Sequence, residues 1–233
     1  MKIATIETFD LTCPLGRPFG WSQGWIEQRN TTLLKITTDD GLTGWGEGAA
    51  SDLINNLLAP LLIGQDPINR NGLWERMFHA LYNGNNAVGL AGSAVSALDI
   101  ALWDLAGKAA NLPVSTLLGG KIRDKVAVYA TGLYYTKGEF PDRLLDEACG
   151  YVEMGFKGMK TKVGGLSLKD DVARVRALRE TIGPDISLMI DANEGYNATT
   201  AIRLGRELAD LDLVWFEEPV NAQDLDAYLE VKA

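Results

Sequence analysis

The spacing of hydrophobic residues divides this chain of 233 residues into two parts that meet near Asp124. In the first part, apolar and polar positions alternate over Lys2–Leu11, which predicts a β-strand. Two further runs, Gln28–Thr38 and Leu42–Gly48, flank the turn signal Asp39-Asp40-Gly41 and predict a pair of neighbouring strands. The chain is therefore expected to begin with a small sheet.

The segment Pro14–Gly24 lies between the first two predicted strands and interrupts their alternation. It is rich in glycine and proline and contains Trp21. This composition predicts a mobile loop with exposed aromatic side chains. The alternative is an ordinary surface loop on which Trp21 packs against the protein.

Helical periodicity follows the predicted sheet. Apolar residues three and four positions apart predict three helices, over Asp52–Ile63, Pro67–Leu81 and Ser93–Ala110. Pro67 suits a first helical turn, where its missing N–H costs no hydrogen bond. Gly119-Gly120 marks a candidate domain boundary, so we expect an α+β domain over residues 1–122 and a second domain over residues 123–233.

The second part alternates strand and helix patterns. Strands are predicted over Val126–Ala130, Phe156–Val163, Ile186–Asp191 and Leu213–Glu217. Helices are predicted over Pro141–Met154, Leu168–Ile182, Ala198–Leu211 and from Gln223 onward. Four such units, spaced about 30 residues apart, predict a parallel sheet. Because charged residues end these strands, we expect an α/β fold with about four units of a (β/α) barrel.

The composition is that of an ordinary globular protein, with 46% hydrophobic and 23% charged residues. The net charge of −9 disfavours binding to nucleic acid or to an anionic membrane. The N-terminus lacks the apolar core of a signal peptide, and no apolar stretch approaches the ~20 residues of a membrane span. We expect a cytoplasmic protein in which Cys13 and Cys149 are free, buried thiols.

Two lysines end the second predicted strand of the barrel. Because side chains alternate along a strand, Lys160 and Lys162 share one face, which should point inward since helices cover the outer face. Their mutual repulsion is expected to lower both pKa values, so that one of them can act as a base near neutral pH. A Lys-x-Lys sequence on its own is also common at solvated strand ends.

Carboxylates end the next two predicted strands, Asp191 the third and Glu217 the fourth. Their oxygens should converge near the barrel axis, and hard oxygen ligands suit Mg²⁺ or Mn²⁺. Asn193 lies one pleat beyond Asp191, whereas Glu218 should face outward in a structural pairing. Taken singly, Asp191 could instead cap a helix and Glu217 could be a loop carboxylate.

Together these features resemble the enolase superfamily, in the branch of mandelate racemase and muconate lactonizing enzyme. In the first part the similarity is carried by Gly44-Trp45-Gly46-Glu47, the helix from Ala97 to Asp104, and Leu117-Leu118-Gly119-Gly120. In the second part it is carried by Lys160-Thr161-Lys162, the segment from Met189 to Asn193, and the segment from Trp215 to Pro219. The resemblance implies an N-terminal capping domain over residues 1–122, followed by the first half of a (β/α) TIM-like barrel over residues 123–233.

The resemblance also implies a role for each candidate residue. Lys162 would be the acid/base that removes the proton α to a carboxylate, and Lys160 would hold that carboxylate electrostatically. Asp191 and Glu217 would be two ligands of Mg²⁺. Asn193 would support the substrate or the enediolate that develops from it.

The same resemblance implies that Pro14–Gly24 is a specificity loop that closes over the substrate, with Trp21 as a substrate contact. The third metal ligand and the opposing base would belong to later strands. The only histidine, His79, falls in a predicted capping-domain helix and is expected to be structural or solvated. We therefore expect the chain to be a fragment of a longer enzyme. A true half barrel with an open edge strand is the alternative.

These expectations define a Mg²⁺-dependent enzyme whose substrate is a small carboxylate or sugar acid. The leading expectation is a dehydratase that removes water from a sugar acid through an enediolate intermediate. A racemase, epimerase or cycloisomerase with the same intermediate is the alternative among enzymes. A catalytically inactive half barrel that serves as a binding unit is the alternative of another class. The resemblance also implies a homo-oligomer, either a dimer or an octamer.

Overall fold

A computed structural model describes residues 1–81, 88–138, 140 and 142–233. The chain forms two compact units, each with its own hydrophobic core. The first unit contains Met1–Pro14 and Gln28–Asp124, and the second contains Leu15–Glu27 and Lys125–Ala233. We name Leu15–Glu27 the hairpin tip, because it is the far end of a hairpin whose base belongs to the first unit.

A three-stranded sheet begins the chain, in the order β1-β2-β3. Its strands are β1 (Ile3–Trp21), β2 (Gly24–Thr38) and β3 (Thr43–Gly48). The antiparallel pairing of β2 with β3 is confirmed, with Thr37 opposite Thr43. Gly41 in the predicted turn has a φ of +86°, a left-handed conformation that glycine adopts without a steric penalty.

The prediction of a loop over Pro14–Gly24 is wrong, because strand structure continues through it to Trp21 and resumes at Gly24. The two strands are neighbours in the sheet, and Gly20 pairs in addition with a residue outside the hairpin. Its N–H donates to the carbonyl of Tyr135 at 2.7 Å, and its carbonyl accepts from the N–H of Tyr135 at 3.0 Å. A Cβ at Gly20 would lie 3.2 Å from the Cβ of Tyr135, so the glycine permits this close pairing instead of ending the strand.

The described helical segments of the first unit are α1 (Ser51–Leu53), a π-helical turn (Ile54–Leu58), α2 (Ala59–Leu62), α3 (Arg70–Ala80), α4 (Gly89–Ala110) and α5 (Val114–Leu117). The first three are continuous and correspond to the first predicted helix. α3 begins later than predicted, because Asp66 Oδ1 accepts from the N–H of Ile68 at 2.9 Å and holds Pro67 in a turn before the helix.

Three glycines of β3 face α4. An added Cβ at Gly46 would lie 2.0 Å from the carbonyl oxygen of Ala97, and additions at Gly44 and Gly48 would also meet backbone oxygens of α4 within 2.6 Å. The missing side chains therefore let the helix backbone lie directly against the strand backbone. This close packing is the physical reason for the Gly-Trp-Gly-Glu-Gly pattern of the strand.

By length and composition, α4 could cross a membrane. The prediction that no apolar stretch approaches the length of a membrane span is therefore wrong for this helix. Half of its most apolar window is buried inside the protein. Most of its buried residues, from Ala91 to Leu105, belong to the hydrophobic core of the first unit. This is the environment of a core helix in a folded domain.

A four-stranded sheet forms the centre of the second unit, and its neighbouring strands are parallel. The strands are β4 (Ala130–Thr131), β5 (Gly158–Lys162), β6 (Ser187–Asp191) and β7 (Leu213–Glu217). The helical segments are α6 (Asp142–Glu153), α7 (Leu168–Ile182), α8 (Ala198–Glu207), a 3₁₀ turn (Ala209–Leu211) and α9 (Leu225–Lys232). The predicted order of four βα units is confirmed. Pro141, the predicted first residue of α6, lies outside the described residues.

β4 is shorter than the predicted strand over Val126–Ala130. Its described pairing is limited to Ala130 with Met159 and Thr131 with Lys160. The valines before it are exposed. β-branched residues favour a strand only where a partner strand is present, and β5 supplies that partner at two positions alone.

The two cysteines are free, as predicted, but they are exposed and not buried. On α6 the inward positions are Leu144 and Ala148, which are both buried. Cys149 follows Ala148 and is therefore rotated away from the core by about 100°.

Gly46→Ala is expected to destabilise the protein by about 3 kcal/mol or more, because the added Cβ must displace the backbone of α4. Gly205→Ala in α8 is the matched control, since no heavy atom lies within 4 Å of its added Cβ. Alanine there is expected to stabilise the helix by about 1 kcal/mol. Urea unfolding followed by circular dichroism measures both. A Gly46→Ala variant as stable as the wild type would contradict the close packing of α4 on β3.

Candidate active site

The C-terminal ends of three parallel strands lie at one level in the second unit. Lys162 of β5 lies opposite Asp191 of β6, and Asp191 lies opposite Glu217 of β7. Residues that are paired across neighbouring strands project on the same face of a sheet. Lys160 lies two residues before Lys162 and shares that face. The register therefore collects four charged side chains on one side of the sheet.

Both lysines donate to the same carboxylate oxygen. Oδ2 of Asp191 accepts from Nζ of Lys160 at 2.9 Å and from Nζ of Lys162 at 2.6 Å. Lys160 also donates to Oε1 of Glu217 at 2.8 Å, and Lys162 donates to Oδ1 of Asn193 at 2.7 Å. Both lysine side chains are 8% exposed and that of Asp191 is 1% exposed. The structure thus joins every predicted site residue except Trp21 in one cluster.

The pKa of Lys160 differs from the sequence-based expectation. Burial lowers this pKa, but hydrogen bonds to Glu217 and Asp191 outweigh burial and hold the pKa above its ordinary value of 10.5. The expected lowering is therefore wrong for Lys160, because two carboxylates face it. Burial raises the pKa of Asp191, but hydrogen bonds from Lys162 and Lys160 outweigh that effect and leave the pKa below its ordinary value of 3.8.

One oxygen of each carboxylate is anchored by a neighbour in sequence. The backbone N–H of Asn193 donates to Oδ1 of Asp191 at 2.9 Å. The indole N–H of Trp215 donates to Oε2 of Glu217 at 3.0 Å. The other oxygen of each carboxylate accepts from Lys160. Anchoring one oxygen limits rotation of the carboxylate, so the second oxygen is presented at a defined point.

The donor set fits a divalent cation that prefers oxygen ligands. Asp191 and Glu217 present carboxylate oxygens from adjacent strand ends. Mg²⁺ is commonly held by one or two carboxylates while it keeps several waters. Among the residues that the structure describes, no group of three or more His, Cys, Asp or Glu side chains is arranged to hold a metal. Two carboxylates are therefore the ligands that the described part of this chain offers.

The turn after β6 connects Lys162 with the hairpin tip through Asn193. The side-chain amide of Asn193 accepts from Lys162 and donates to Oε2 of Glu218 at 3.0 Å. Its backbone carbonyl accepts from Nε2 of Gln23 at 2.5 Å and from the hydroxyl of Ser22 at 3.4 Å. The predicted pairing of Glu218 is therefore present, and its partner is a residue of the candidate site. The hairpin tip contacts the same asparagine that contacts the lysine.

An aromatic pair beside Lys162 was not predicted. The ring centroid of Tyr134 lies 5.6 Å from Nζ of Lys162, and the ring of Phe19 lies 4.4 Å from that of Tyr134. Tyr134 lies three residues after the end of β4, so its place in the loop at a C-terminal strand end is the signal that could have found it. Trp21 is half-buried in the hairpin tip, and its role as a substrate contact stays a prediction.

His79 lies on α3 of the first unit. Its Nε2 is 3.2 Å from a carboxylate oxygen of Glu75, one helical turn earlier. The imidazole is 69% exposed, so the predicted solvated histidine is confirmed.

Two family models match the chain. The N-terminal domain of mandelate racemase / muconate lactonizing enzyme matches residues 3–119. The enolase C-terminal domain-like family matches residues 143–233. The chain therefore belongs to the mandelate racemase/muconate lactonizing enzyme family of the enolase superfamily, as its motifs predict.

The curated relatives include enzymes of different reaction types. D-galactarolactone cycloisomerase of Agrobacterium fabrum is 40% identical over 100% of this chain and 62% of its own length. Arabinonate dehydratase of Saccharolobus solfataricus is 41% identical over 82% of this chain and 53% of its own length. A solved racemase from Streptomyces coelicolor A3(2) with bound magnesium has a TM-score of 0.90 and 35% identity, covering 98% of this chain and 66% of that one. The chain spans less than two thirds of each relative.

Asp191→Asn is expected to lower the free energy of unfolding at pH 7 by about 3 kcal/mol in metal-free solution, because two buried lysines lose their shared carboxylate. The folded-state pKa of Asp191 is lowered, so its stabilising contribution is complete above pH 3.8 and is lost as the pH falls through the folded value. The difference from the wild type should therefore shrink in acid.

Urea unfolding at pH 7 and at about pH 3 measures this difference. The matched control is Asp185→Asn, which changes an exposed aspartate in the turn before β6. A difference between Asp191→Asn and the wild type that is equal at both pH values would contradict the stabilising role of the ionised carboxylate.

Proposed function

We propose that the protein is a Mg²⁺-dependent enzyme that removes the proton α to a carboxylate, most specifically a dehydratase of sugar acids. The observation that carries the proposal is the cluster in which Lys160 and Lys162 share one oxygen of Asp191 beside Glu217. Family membership supports the reaction class.

Lys162 is the proposed base. An unprotonated amine accepts the α proton from the substrate carbon and holds it as an ammonium. The contacts of Lys162 with Asp191 and Asn193 support this role, because they restrict where its nitrogen can lie. In dehydration, loss of this proton is followed by departure of the hydroxyl group on the adjacent carbon, which takes up a proton from a general acid and leaves as water.

Lys160 is the proposed partner of the substrate carboxylate. Removal of the α proton places a second negative charge on the carboxylate oxygens. The ammonium of Lys160 has three N–H donors and uses two of them on Asp191 and Glu217, so one remains for the carboxylate of a bound substrate. The amide of Asn193 is the proposed neutral donor beside it, since its nitrogen bonds an exposed partner that a substrate oxygen could replace.

Asp191 and Glu217 are the proposed ligands of Mg²⁺, which when bound supplies a Lewis acid that stabilises the negative charge of the substrate carboxylate. Their adjacent strand ends, and the anchoring of one oxygen of each carboxylate, support this assignment. The racemase from Streptomyces coelicolor solved with bound magnesium supports the choice of metal.

The proposed substrate class rests on the relatives. Arabinonate dehydratase is 41% identical to this chain, and L-talarate/galactarate dehydratase of Salmonella typhimurium is 36% identical. A cycloisomerase of a sugar-acid lactone is the second candidate, because D-galactarolactone cycloisomerase is 40% identical over the whole chain.

Lys162→Ala in the natively expressed protein is expected to slow exchange of the α proton of a sugar acid with deuterated solvent by about 10³-fold, because a general base contributes roughly 10²- to 10⁴-fold. Lys157→Ala is the matched control, since Lys157 is an exposed lysine just before β5. Proton NMR of aldonic and aldaric acids in D₂O measures the exchange. Unchanged exchange in Lys162→Ala would exclude the assigned role.

Removal of divalent metal with EDTA is expected to abolish turnover, and added Mg²⁺ is expected to restore it. The products separate the candidates. A 2-keto-3-deoxy acid identifies a dehydratase, rearrangement of a lactone without loss of water identifies a cycloisomerase, and deuterium at an inverted α carbon identifies a racemase or epimerase. Binding of acids without turnover would favour the inactive binding unit.

A further inference from the structure

A buried carboxylate that the proposed reaction does not use lies beside the loop that follows Lys162. Asp171 is in the first turn of α7, and it is fully buried. Its Oδ1 accepts from the hydroxyl of Tyr135 at 2.7 Å. Its Oδ2 accepts from the hydroxyl of Tyr196 and from the backbone N–H of Gly164, both at 2.8 Å. Three donors therefore satisfy a carboxylate that water does not reach.

Two of these donors belong to the loops that follow β5 and β6, the strands that contain Lys162 and Asp191. Gly164 lies two residues after Lys162, in the loop between β5 and α7. Tyr196 lies three residues after Asn193, in the loop between β6 and α8. One carboxylate oxygen thus holds the loop after the candidate base and the loop after its asparagine partner.

The third donor connects Asp171 to the hairpin tip. The backbone of Tyr135 pairs with Gly20 of the tip through two hydrogen bonds. The hydroxyl of Tyr135 also accepts from the N–H of Gly165 at 3.0 Å, while it donates to Asp171. A Cβ at Gly165 would lie 2.5 Å from the ring of Tyr135, so the loop and the ring are in direct contact.

We infer that Asp171 is a positioning residue, whose carboxylate ties the β5–α7 loop, the β6–α8 loop and the hairpin tip together and thereby holds Lys162 and Asn193 in place for proton transfer. The last clause rests on the proposed function. The claim that Asp171 joins the three segments does not rest on the proposed function, because it concerns only the hydrogen bonds that the carboxylate accepts and the pairing of Tyr135 with Gly20.

The protonation of the network is consistent with this role. Burial, and then the charge of Asp171, raise the pKa of Tyr135 and of Tyr196. Both hydroxyls therefore stay protonated in neutral and mildly alkaline solution and remain donors to the carboxylate. The two hydroxyls thus hold the carboxylate of Asp171 in one arrangement of hydrogen bonds.

Three variants of the natively expressed protein test the inference. Asp171→Asn keeps the size of the side chain but leaves one acceptor oxygen, so it loses either the hydrogen bond from Tyr135 or those from Tyr196 and Gly164. Tyr135→Phe and Tyr196→Phe each remove one donor and keep the ring. Tyr151→Phe is the matched control, because the hydroxyl of Tyr151 donates to a carboxylate oxygen of Glu147 at the same 2.7 Å as in the Tyr135–Asp171 pair.

Hydrogen–deuterium exchange followed by mass spectrometry is the first measurement. Peptides that contain Gly164 and Gly165, and peptides from the hairpin tip, are expected to exchange about tenfold faster in Asp171→Asn and Tyr135→Phe than in the wild type. Tyr151→Phe should leave these peptides unchanged. Exchange that is unaltered there, or that rises equally in α6 and α8, would overturn the inference. If Asp171→Asn does not fold, Tyr135→Phe decides the outcome.

The second measurement is kinetic. In Tyr135→Phe and Tyr196→Phe, kcat for α-proton exchange is expected to fall about tenfold while KM changes little, since misplacement of a base affects the chemical step more than binding. An unchanged kcat would overturn the role in proton transfer. If the wild type itself turns over no acid, the proposed function fails, and hydrogen–deuterium exchange alone decides whether Asp171 joins the three segments.

Discussion

Oδ2 of Asp191 is the atom on which the candidate site depends. Two ammonium groups on one face of β5 would repel each other in a buried environment, and this single oxygen accepts from both. Lys160 then extends the arrangement to Glu217 on β7, so that hydrogen bonds between side chains cross-link the ends of three strands. The strand register makes this possible, because backbone pairing alone brings Lys162, Asp191 and Glu217 to one level of the sheet.

Further polar contacts surround this cluster, and they are made by residues of loops and not of strands. The backbone carbonyl of Asn193 accepts hydrogen bonds from Ser22 and Gln23 of the hairpin tip, and its side-chain oxygen accepts one from Lys162. Its φ of +42° is in the left-handed region, which costs free energy for a residue other than glycine. The surrounding hydrogen bonds maintain that conformation. The strands therefore supply the charged side chains of the site, whereas the loops limit where those side chains can move.

Sequence patterns were sufficient for the parts of the structure that depend on local rules. Strand alternation and the position of charged residues at strand ends were enough to predict the cluster of Lys160, Lys162, Asp191 and Glu217, and the periodicity of α7 predicted its bounds. The hairpin tip could not be predicted, because its glycines and prolines are typical of a loop, and the partner of Gly20 outside the hairpin, Tyr135, lies far along the chain. The raised pKa of Lys160 likewise depends on distances to carboxylates that lie on other strands. Asp171 looked like an ordinary acidic residue in a first helical turn, since its three partners are brought to it by tertiary structure.

The hairpin tip also has a consequence for the order in which the protein folds during synthesis. Ser22 and its partner Asn193 are separated by 171 positions, so the ribosome must add all the residues between them before that contact can form. Until then the distal part of the hairpin is a two-stranded ribbon without its final partners, and its backbone groups are open to mispairing. Contacts of such long sequence separation slow folding, because a large loop must close before they contribute any stability. The hairpin tip is therefore synthesised long before the residue that secures it.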